Sequence, residues 1–210
     1  MTRDVAAAQT ENGCGHETDE TDDDTREQRL SQRPIIPPSP FVMDWIARDI
    51  ADVARGAPAG RRALDVAMGH GRHALPLARA GYRTFGVDVK FDAVRDASRA
   101  ALDAGTPIRA WCADLTEHPL PAARFELVVV TRYLQRDLFP ALRDSLVPAG
   151  LVLYETFTAR QLSLGVGPTS PDHLLQEGEL RTYFNGFEIL FYEEVLLPAA
   201  LARLAARKRS

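Results

Sequence analysis

The most constraining stretch of the chain is Ala63-Leu64-Asp65-Val66-Ala67-Met68-Gly69-His70-Gly71-Arg72-His73-Ala74. An apolar run of strand length carries one acid near its end, meets two glycines one residue apart, and passes into a helical pattern. The glycines let the backbone approach a ligand without a Cβ in the way. The helix start beyond them offers unpaired N–H groups and a partial positive charge. A strand, a glycine turn and a helix in this order read as the opening unit of an α/β fold with a nucleotide-type cofactor site.

Strand and helix patterns keep alternating after this unit, which argues for a parallel sheet with right-handed crossovers. The spacing predicts strands at Arg62 to Val66, Arg83 to Val87, Ile108 to Cys112 and Phe125 to Val130, with helices at Arg72 to Ala80 and Phe91 to Ala104. Leu138, Leu142 and Leu146 recur every four residues on a helix ending near Val147, and Pro148-Ala149-Gly150 then turns the chain into a fifth strand, Leu151 to Glu155. Thr158 to Asp172 lacks periodicity and reads as a long loop, followed by a short helix at Glu177 to Phe184 and a strand at Phe187 to Glu193. Alanine content makes the last apolar stretch, Leu196 to Ala206, a helix locally, whereas completion of the sheet makes it a strand. Ahead of the unit, Ser39-Pro40 opens a helix to Arg55 whose apolar side is Val42, Trp45, Ile46, Ile50 and Val53.

The charges are unevenly spread. Of 29 acids and 25 bases, nine acids and four bases fall in the first 33 residues, leaving 20 acids against 21 bases. Residues 1–33 are expected to be a disordered acidic tail without the apolar core of a signal peptide, and 34–210 a single domain of near-zero net charge. Such a domain offers no basic face for a nucleic acid. No apolar stretch approaches the roughly 20 residues needed to span a bilayer, and Cys14 and Cys112 make no disulfide framework. A cytoplasmic protein with no metal site is expected, and Cys112 is expected to be buried in its strand.

Three acids fall where parallel strands should end: Asp65 in the first, Asp88 after the second and Asp114 after the third. Ligands of open parallel sheets bind beyond those ends. Asp88 follows the glycine turn by about 20 residues, the spacing at which a carboxylate accepts hydrogen bonds from ribose hydroxyls. Gly69-His70-Gly71-Arg72-His73-Ala74 also satisfies the dinucleotide pattern, so the turn alone fits NAD equally well. Asp65 separates the two cofactors. A dinucleotide fold buries an apolar residue there, whereas a carboxylate can face a cationic ligand, and S-adenosylmethionine carries an ammonium and a sulfonium. Asp114 offers an acceptor for an adenine amino group, with the backbone of Leu115 as donor.

On these residues the chain resembles the class I S-adenosylmethionine-dependent methyltransferases. Leu64 to His73 resembles the first motif, with Ala67 at the place of its usual first glycine, Gly86-Val87-Asp88 the second, and Ala113-Asp114-Leu115 the third. Leu146-Val147-Pro148-Ala149-Gly150-Leu151 resembles the turn before the fifth strand. Pro38 to Val42, Thr131 to Leu134, Tyr154 to Phe157 and Pro171 to Leu175 are similar to the bacterial tellurite-resistance-type group, whose members commonly carry Asn where this chain has Arg132. The resemblance implies a Rossmann-like three-layer α/β/α sandwich: a mostly parallel seven-stranded sheet completed by an antiparallel C-terminal strand. It also implies that Asp65, Ala67, Gly69, Gly71, Arg72, Asp88, Val89, Asp114, Leu115 and Thr131 hold S-adenosylmethionine.

The expected reaction is an in-line displacement at the sulfonium carbon, with a thiol, chalcogen or oxygen nucleophile of a small molecule as acceptor. Arg132, Tyr133, Tyr154 and Glu155 are the substrate-side candidates, Glu155 being the candidate base. Thr131-Arg132-Tyr133-Leu134 stands where amino-directed enzymes carry N-P-P-Y, which disfavours that class. His73 reads as a helix-start residue and His173 as a solvated loop residue. The alternatives are an NAD-dependent oxidoreductase and a non-catalytic module that binds S-adenosylmethionine.

Overall fold

Val128-Val129-Val130 and Leu151-Val152-Leu153 are apolar at every position, and such strands can be buried only in a sheet covered on both faces. The computed structural model describes residues 36–54 and 60–210; the expected acidic tail lies outside the described residues. The strands are β1 (Arg62–Val66), β2 (Arg83–Asp88), β3 (Arg109–Cys112), β4 (Phe125–Thr131), β5 (Leu146–Phe157), β6 (Glu188–Val195) and β7 (Leu201–Arg207). They form one seven-stranded sheet of order β3-β2-β1-β4-β5-β7-β6. The first five pair parallel, and β7 runs antiparallel between β5 and β6. Strand order reverses between β1 and β4, the place where an open α/β sheet binds its ligand.

Alternation sorts the side chains into two cores. Ala63, Leu127, Val129, Leu151, Leu153 and Ala205 face helices α1 (Pro40–Ala54) and α2 (Ala74–Arg79), meeting Phe41, Val42, Ile46 and Leu77. Leu64, Val66, Val128, Val130, Val152, Tyr154 and Leu204 face the other way, onto Phe139 and Leu142 of α4 (Phe139–Ser145) and onto Leu180 of α5 (Glu179–Tyr183). Val94 and Ala97 of α3 (Phe91–Asp103) pack on Met68 and Ala74. Helix α1 is pinned at both ends. Buried Asp49 takes the Arg61 guanidinium at 2.7 Å together with the Tyr82 hydroxyl, and the Ser39 amide donates to His73 Nε2 at 3.0 Å.

Three expectations need correction. First, α4 stops at Ser145 and β5 begins at Leu146, so Leu138 and Leu142 are buried beside a helix while Leu146 is buried by strand pairing with Phe125. Pro148-Ala149-Gly150 is therefore an irregularity inside β5, with Ala149 at φ +62°, rather than the turn that precedes the strand. Second, α2 begins at Ala74, not Arg72, which puts Pro76 in its first turn, where a missing N–H costs nothing. Third, the loop from Thr158 contains a 3-10 helix at Ala159–Leu164, held by the Gln161 side chain, which donates to Val166 O at 2.7 Å and accepts from Ala200 N at 2.8 Å. The ambiguous C-terminal stretch is a strand: β5 and β6 both pair with it, and that pairing overrides alanine's helical preference. No described helix is long and apolar enough to cross a membrane.

Candidate cofactor and acceptor site

The turn after β1 is left-handed three times, at Ala67 (φ +52°), Gly69 (+53°) and Gly71 (+79°). Its two glycines serve different ends. A Cβ on Gly71 would stand 2.6 Å from Leu75 Cδ1 and 3.1 Å from Ala97 Cβ, so this glycine lets α2 and α3 approach the turn. A Cβ on Gly69 would meet nothing within 4 Å; that face of the turn is open to a ligand. Gly86 serves a third end, because its missing Cβ is where the Met68 side chain lies.

The Asp88 carboxylate sits directly on the turn, with Oδ2 accepting from the Gly69 amide at 2.8 Å and Oδ1 from the Lys90 amide at 2.9 Å. Val89 beside it is an exposed large apolar residue. Asp114 Oδ1 accepts from the Thr116 amide (2.9 Å) and hydroxyl (2.7 Å), and these bonds hold its pKa below the usual range. Its Oδ2 makes no hydrogen bond among the described residues. Leu115 is half-buried at the margin of the core, alongside Trp111, Phe85 and Tyr133. Cys112 is exposed, not buried as expected, because it is the last residue of an edge strand; its thiol donates to Val89 O at 3.3 Å.

Asp65 lies on the α1 and α2 face of the sheet and is 1% exposed. The backbone N–H groups of Ala74 and His73 donate to the carboxylate, but burial outweighs them and pushes its pKa up to about 7. Oδ2 has no hydrogen-bond partner. A buried polar atom without a partner costs free energy of about 1–3 kcal/mol, more for a charged group, and a cationic donor placed against this oxygen would remove that cost.

The same face carries a staggered polar row at the edge of the sheet where the parallel strands end: Asp65 on β1, Thr131 on β4, Glu155 on β5, Arg203 toward the start of antiparallel β7, and Glu193 on β6. His73 reaches into this row from the start of α2. It is buried, and burial together with the nearby Arg72 and Arg132 pushes its pKa down to about 3, so the ring is neutral. Because Nε2 accepts from the Ser39 amide, Nδ1 carries the proton and donates to Thr131 Oγ1 at 3.2 Å. Thr131 Oγ1 also accepts from Arg72 Nη2 at 2.9 Å. His73 thus ties the start of α1 to the end of β4 and orients Arg72, which is more than the helix-start role its position predicts.

Of the substrate-side candidates, the structure keeps two near the row and moves two away. Glu155 is 4% exposed, and its Oε2 accepts from Arg203 Nε at 2.7 Å; Arg203 also pairs with Glu193 at 2.8 Å. Arg132 has φ +54°, donates its amide to Glu155 O at 2.8 Å, and holds its guanidinium 5.9 Å from the Phe157 ring centroid. Tyr154 does not line this space. As the residue before Glu155 it points to the opposite face, stacks on Phe139 and donates its hydroxyl to Tyr133 O at 2.9 Å. Tyr133 follows the left-handed kink and turns toward the other strand ends, where burial and the charges of Asp114 and Asp88 raise its pKa. His173 is exposed, as expected. Ser39, Glu193 and Arg203 were not anticipated. Arg203 had a legible signal: an arginine in the interior of an alanine-leucine strand needs a carboxylate opposite.

Residues 63–150 match the family described as methyltransferase domain. No curated protein matches the sequence. Among solved structures, the chain is similar to TehB from Haemophilus influenzae (TM-score 0.62, 20% identity), over 77% of this chain and 62% of that one. An S-adenosylmethionine-dependent methyltransferase from Clostridium acetobutylicum has a TM-score of 0.64 at 13% identity, over 91% of this chain and 99% of that one. Magnesium protoporphyrin IX methyltransferase from Synechocystis, solved with bound SAH, has a TM-score of 0.61 at 18% identity, over 88% and 94%. At these identities the likeness establishes the fold.

Proposed function

We propose that this chain, whose residues 63–150 match a methyltransferase domain and whose fold is that of S-adenosylmethionine-dependent methyltransferases, is a class I enzyme of that kind and transfers the methyl group to a small-molecule nucleophile by in-line displacement. The observation that carries the reading is the unpartnered, almost fully buried Oδ2 of Asp65, placed at the glycine turn and next to the strand-order reversal. A carboxylate there complements the ammonium of S-adenosylmethionine. An NAD cofactor brings no primary ammonium to that position.

The other assignments follow from position. Asp88 has lone pairs left for the ribose hydroxyls after it accepts the Gly69 and Lys90 amides. The exposed side chain of Val89 offers an apolar contact for the adenine, Asp114 Oδ2 an acceptor for its amino group, and the Leu115 amide a donor. Gly69 leaves open space beside the methionine portion, with Ala67 and Gly71 shaping the turn. Arg72, oriented by Thr131, faces the cofactor carboxylate. The domain spans 34–210, and an exposed free thiol at Cys112 suits a reducing cytoplasm.

The leaving thioether needs no acid. Alignment of nucleophile, methyl carbon and sulfur supplies as much as about 7–11 kcal/mol in favourable cases. Calorimetric titration of the full chain with S-adenosylhomocysteine tests the reading. Micromolar binding is expected, with a loss of about tenfold or more in Asp88→Ala. Binding of NADH with no binding of S-adenosylhomocysteine would sink it.

A further inference from the structure

Arg132 occupies a backbone conformation that an L-residue adopts at a cost of about 1–2 kcal/mol and that Asn or Gly adopts more readily. The Arg132 amide bond to Glu155 O, within the β4–β5 pairing, fixes the kink. Strain held in place by surrounding structure is a mark of functional sites. The side chain carried there is exposed, and its guanidinium has no hydrogen bond or ion pair among the described residues, only the Phe157 ring at 5.9 Å.

The carboxylates around it are occupied. Glu155 and Glu193 are both held by Arg203, and Asp88 is held by two backbone amides. Arg72 is the second cation of this region; burial and then the field of Arg132 lower its pKa, and burial, Arg72 and then Arg132 lower that of His73. Bound S-adenosylmethionine adds a sulfonium and an ammonium against one carboxylate, so the loaded site gains net positive charge. Within the polar row, Asp65 is the carboxylate assigned above to the cofactor ammonium, and the remaining groups present no general base. Glu155 is ion-paired, and His73 is neutral with both ring nitrogens engaged.

We propose that the acceptor binds as an anion, its charged group paired with the Arg132 guanidinium beside Phe157. This rests on the methyl-transfer reading above and names the substrate class of that site. An acceptor whose nucleophilic atom is already ionised needs no base. A lone pair of its nucleophile forms the new bond to the methyl carbon while the S–C bond breaks, and the electron pair leaves on sulfur as a neutral thioether. No proton has to move when the nucleophilic atom is itself ionised or carries a free lone pair; the acceptor loses one unit of negative charge as the sulfonium becomes a neutral thioether.

The test uses the full chain saturated with S-adenosylhomocysteine and two probes that share a ring and a thiol, thiosalicylate and its methyl ester, with selenite in parallel. Calorimetry should show thiosalicylate binding about tenfold or more tighter than the ester, as one charge-assisted pair implies. Arg132→Asn, which suits the left-handed backbone, should erase that preference while keeping S-adenosylhomocysteine affinity and Tm. Arg132→Lys should keep part of it. Tighter binding of selenite than of thiosalicylate assigns the anion to an inorganic oxyanion; the reverse assigns it to an organic acid. The proposal is overturned by measurable but equal binding of acid and ester, by anion binding that survives unchanged in Arg132→Asn, or by no binding of either anion. Failure of S-adenosylhomocysteine itself to bind would instead strike the methyl-transfer reading.

Discussion

Asp65 and Glu155 are both carboxylates almost fully buried on the same face of the sheet, yet they are built to opposite ends. Glu155 is completed from inside the chain: Arg203 on the neighbouring strand supplies an Nε donor at 2.7 Å and is itself shared with Glu193. Asp65 is left incomplete, with one oxygen unpartnered and a pKa pushed up to about 7 by burial. The half of the sheet that carries the glycine turn thus holds a buried oxygen without a partner among the described residues. The half that carries the β5–β7–β6 ladder has spent its charges on structure, leaving Arg132 as the cation available for what enters there.

The comparison breaks most visibly in the pH dependence of stability. Asp65 has a folded pKa of about 7 against an ordinary value of 3.8, so between these values the folded state binds more protons than the unfolded state. By linkage, this group leaves stability intact below its unfolded pKa and removes it as pH rises toward 7. At about 1.4 kcal/mol per unit, the loss amounts to as much as roughly 4 kcal/mol. Asp65→Asn keeps an acceptor for the His73 and Ala74 amides and cannot ionise. Urea denaturation at a series of pH values should show the variant gaining on the wild type from pH 4 to 7 and running parallel above it. S-adenosylhomocysteine binding by the same variant should weaken. A wild type and variant that run parallel from pH 4 to 7 would show that Asp65 is not held as buried as its surroundings imply.

Glu155→Ala probes the completed half. Removing one partner of a buried pair leaves Arg203 with Glu193 alone, and since the Arg203 side chain is 22% exposed, a cost of about 2–3 kcal/mol is expected, below the upper range for fully buried pairs. The loss should appear in Tm and denaturant midpoint. A catalytic base would behave otherwise, with kcat falling steeply and stability unchanged.

The cofactor half was the more legible in sequence because its chemistry is local. The acid, the glycine turn and the helix start are contiguous, and Asp88 and Asp114 sit at the ends of short strands whose boundaries follow from apolar runs. The half around Glu155 depends on long-range pairing. Glu155 meets Arg203 across 48 positions, and no spacing rule connects them until β7 is known to be a strand. Which of Tyr154 and Glu155 turns to that face was open in the sequence for a related reason. A strand's alternation says that neighbours point oppositely, but the choice of which one faces the ligand is made by the helices covering each face. The left-handed kink at Arg132 redirected Tyr133 in the same way, since nothing about an arginine announces positive φ.

The smallest and sharpest contrast lies within the turn itself. Gly71→Ala and Gly69→Ala impose similar backbone strain, at φ +79° and +53°, of about 1–2 kcal/mol each. Their surroundings differ. The new methyl at 71 meets Leu75 Cδ1 at 2.6 Å and Ala97 Cβ at 3.1 Å, contacts that force neighbours of two helices to shift, while at 69 it meets only space. Gly71→Ala should therefore lower stability by about 1 kcal/mol more than Gly69→Ala. Affinity for S-adenosylhomocysteine should fall in the reverse order, because the space at 69 is where the ligand comes close to the backbone. Both variants retain the amide that donates to Asp88, so that bond does not confound the ranking. If Gly69→Ala binds as well as the wild type, the open face of the turn is not the ligand's, and the assignment of the incomplete Asp65 to a bound cation loses its neighbour.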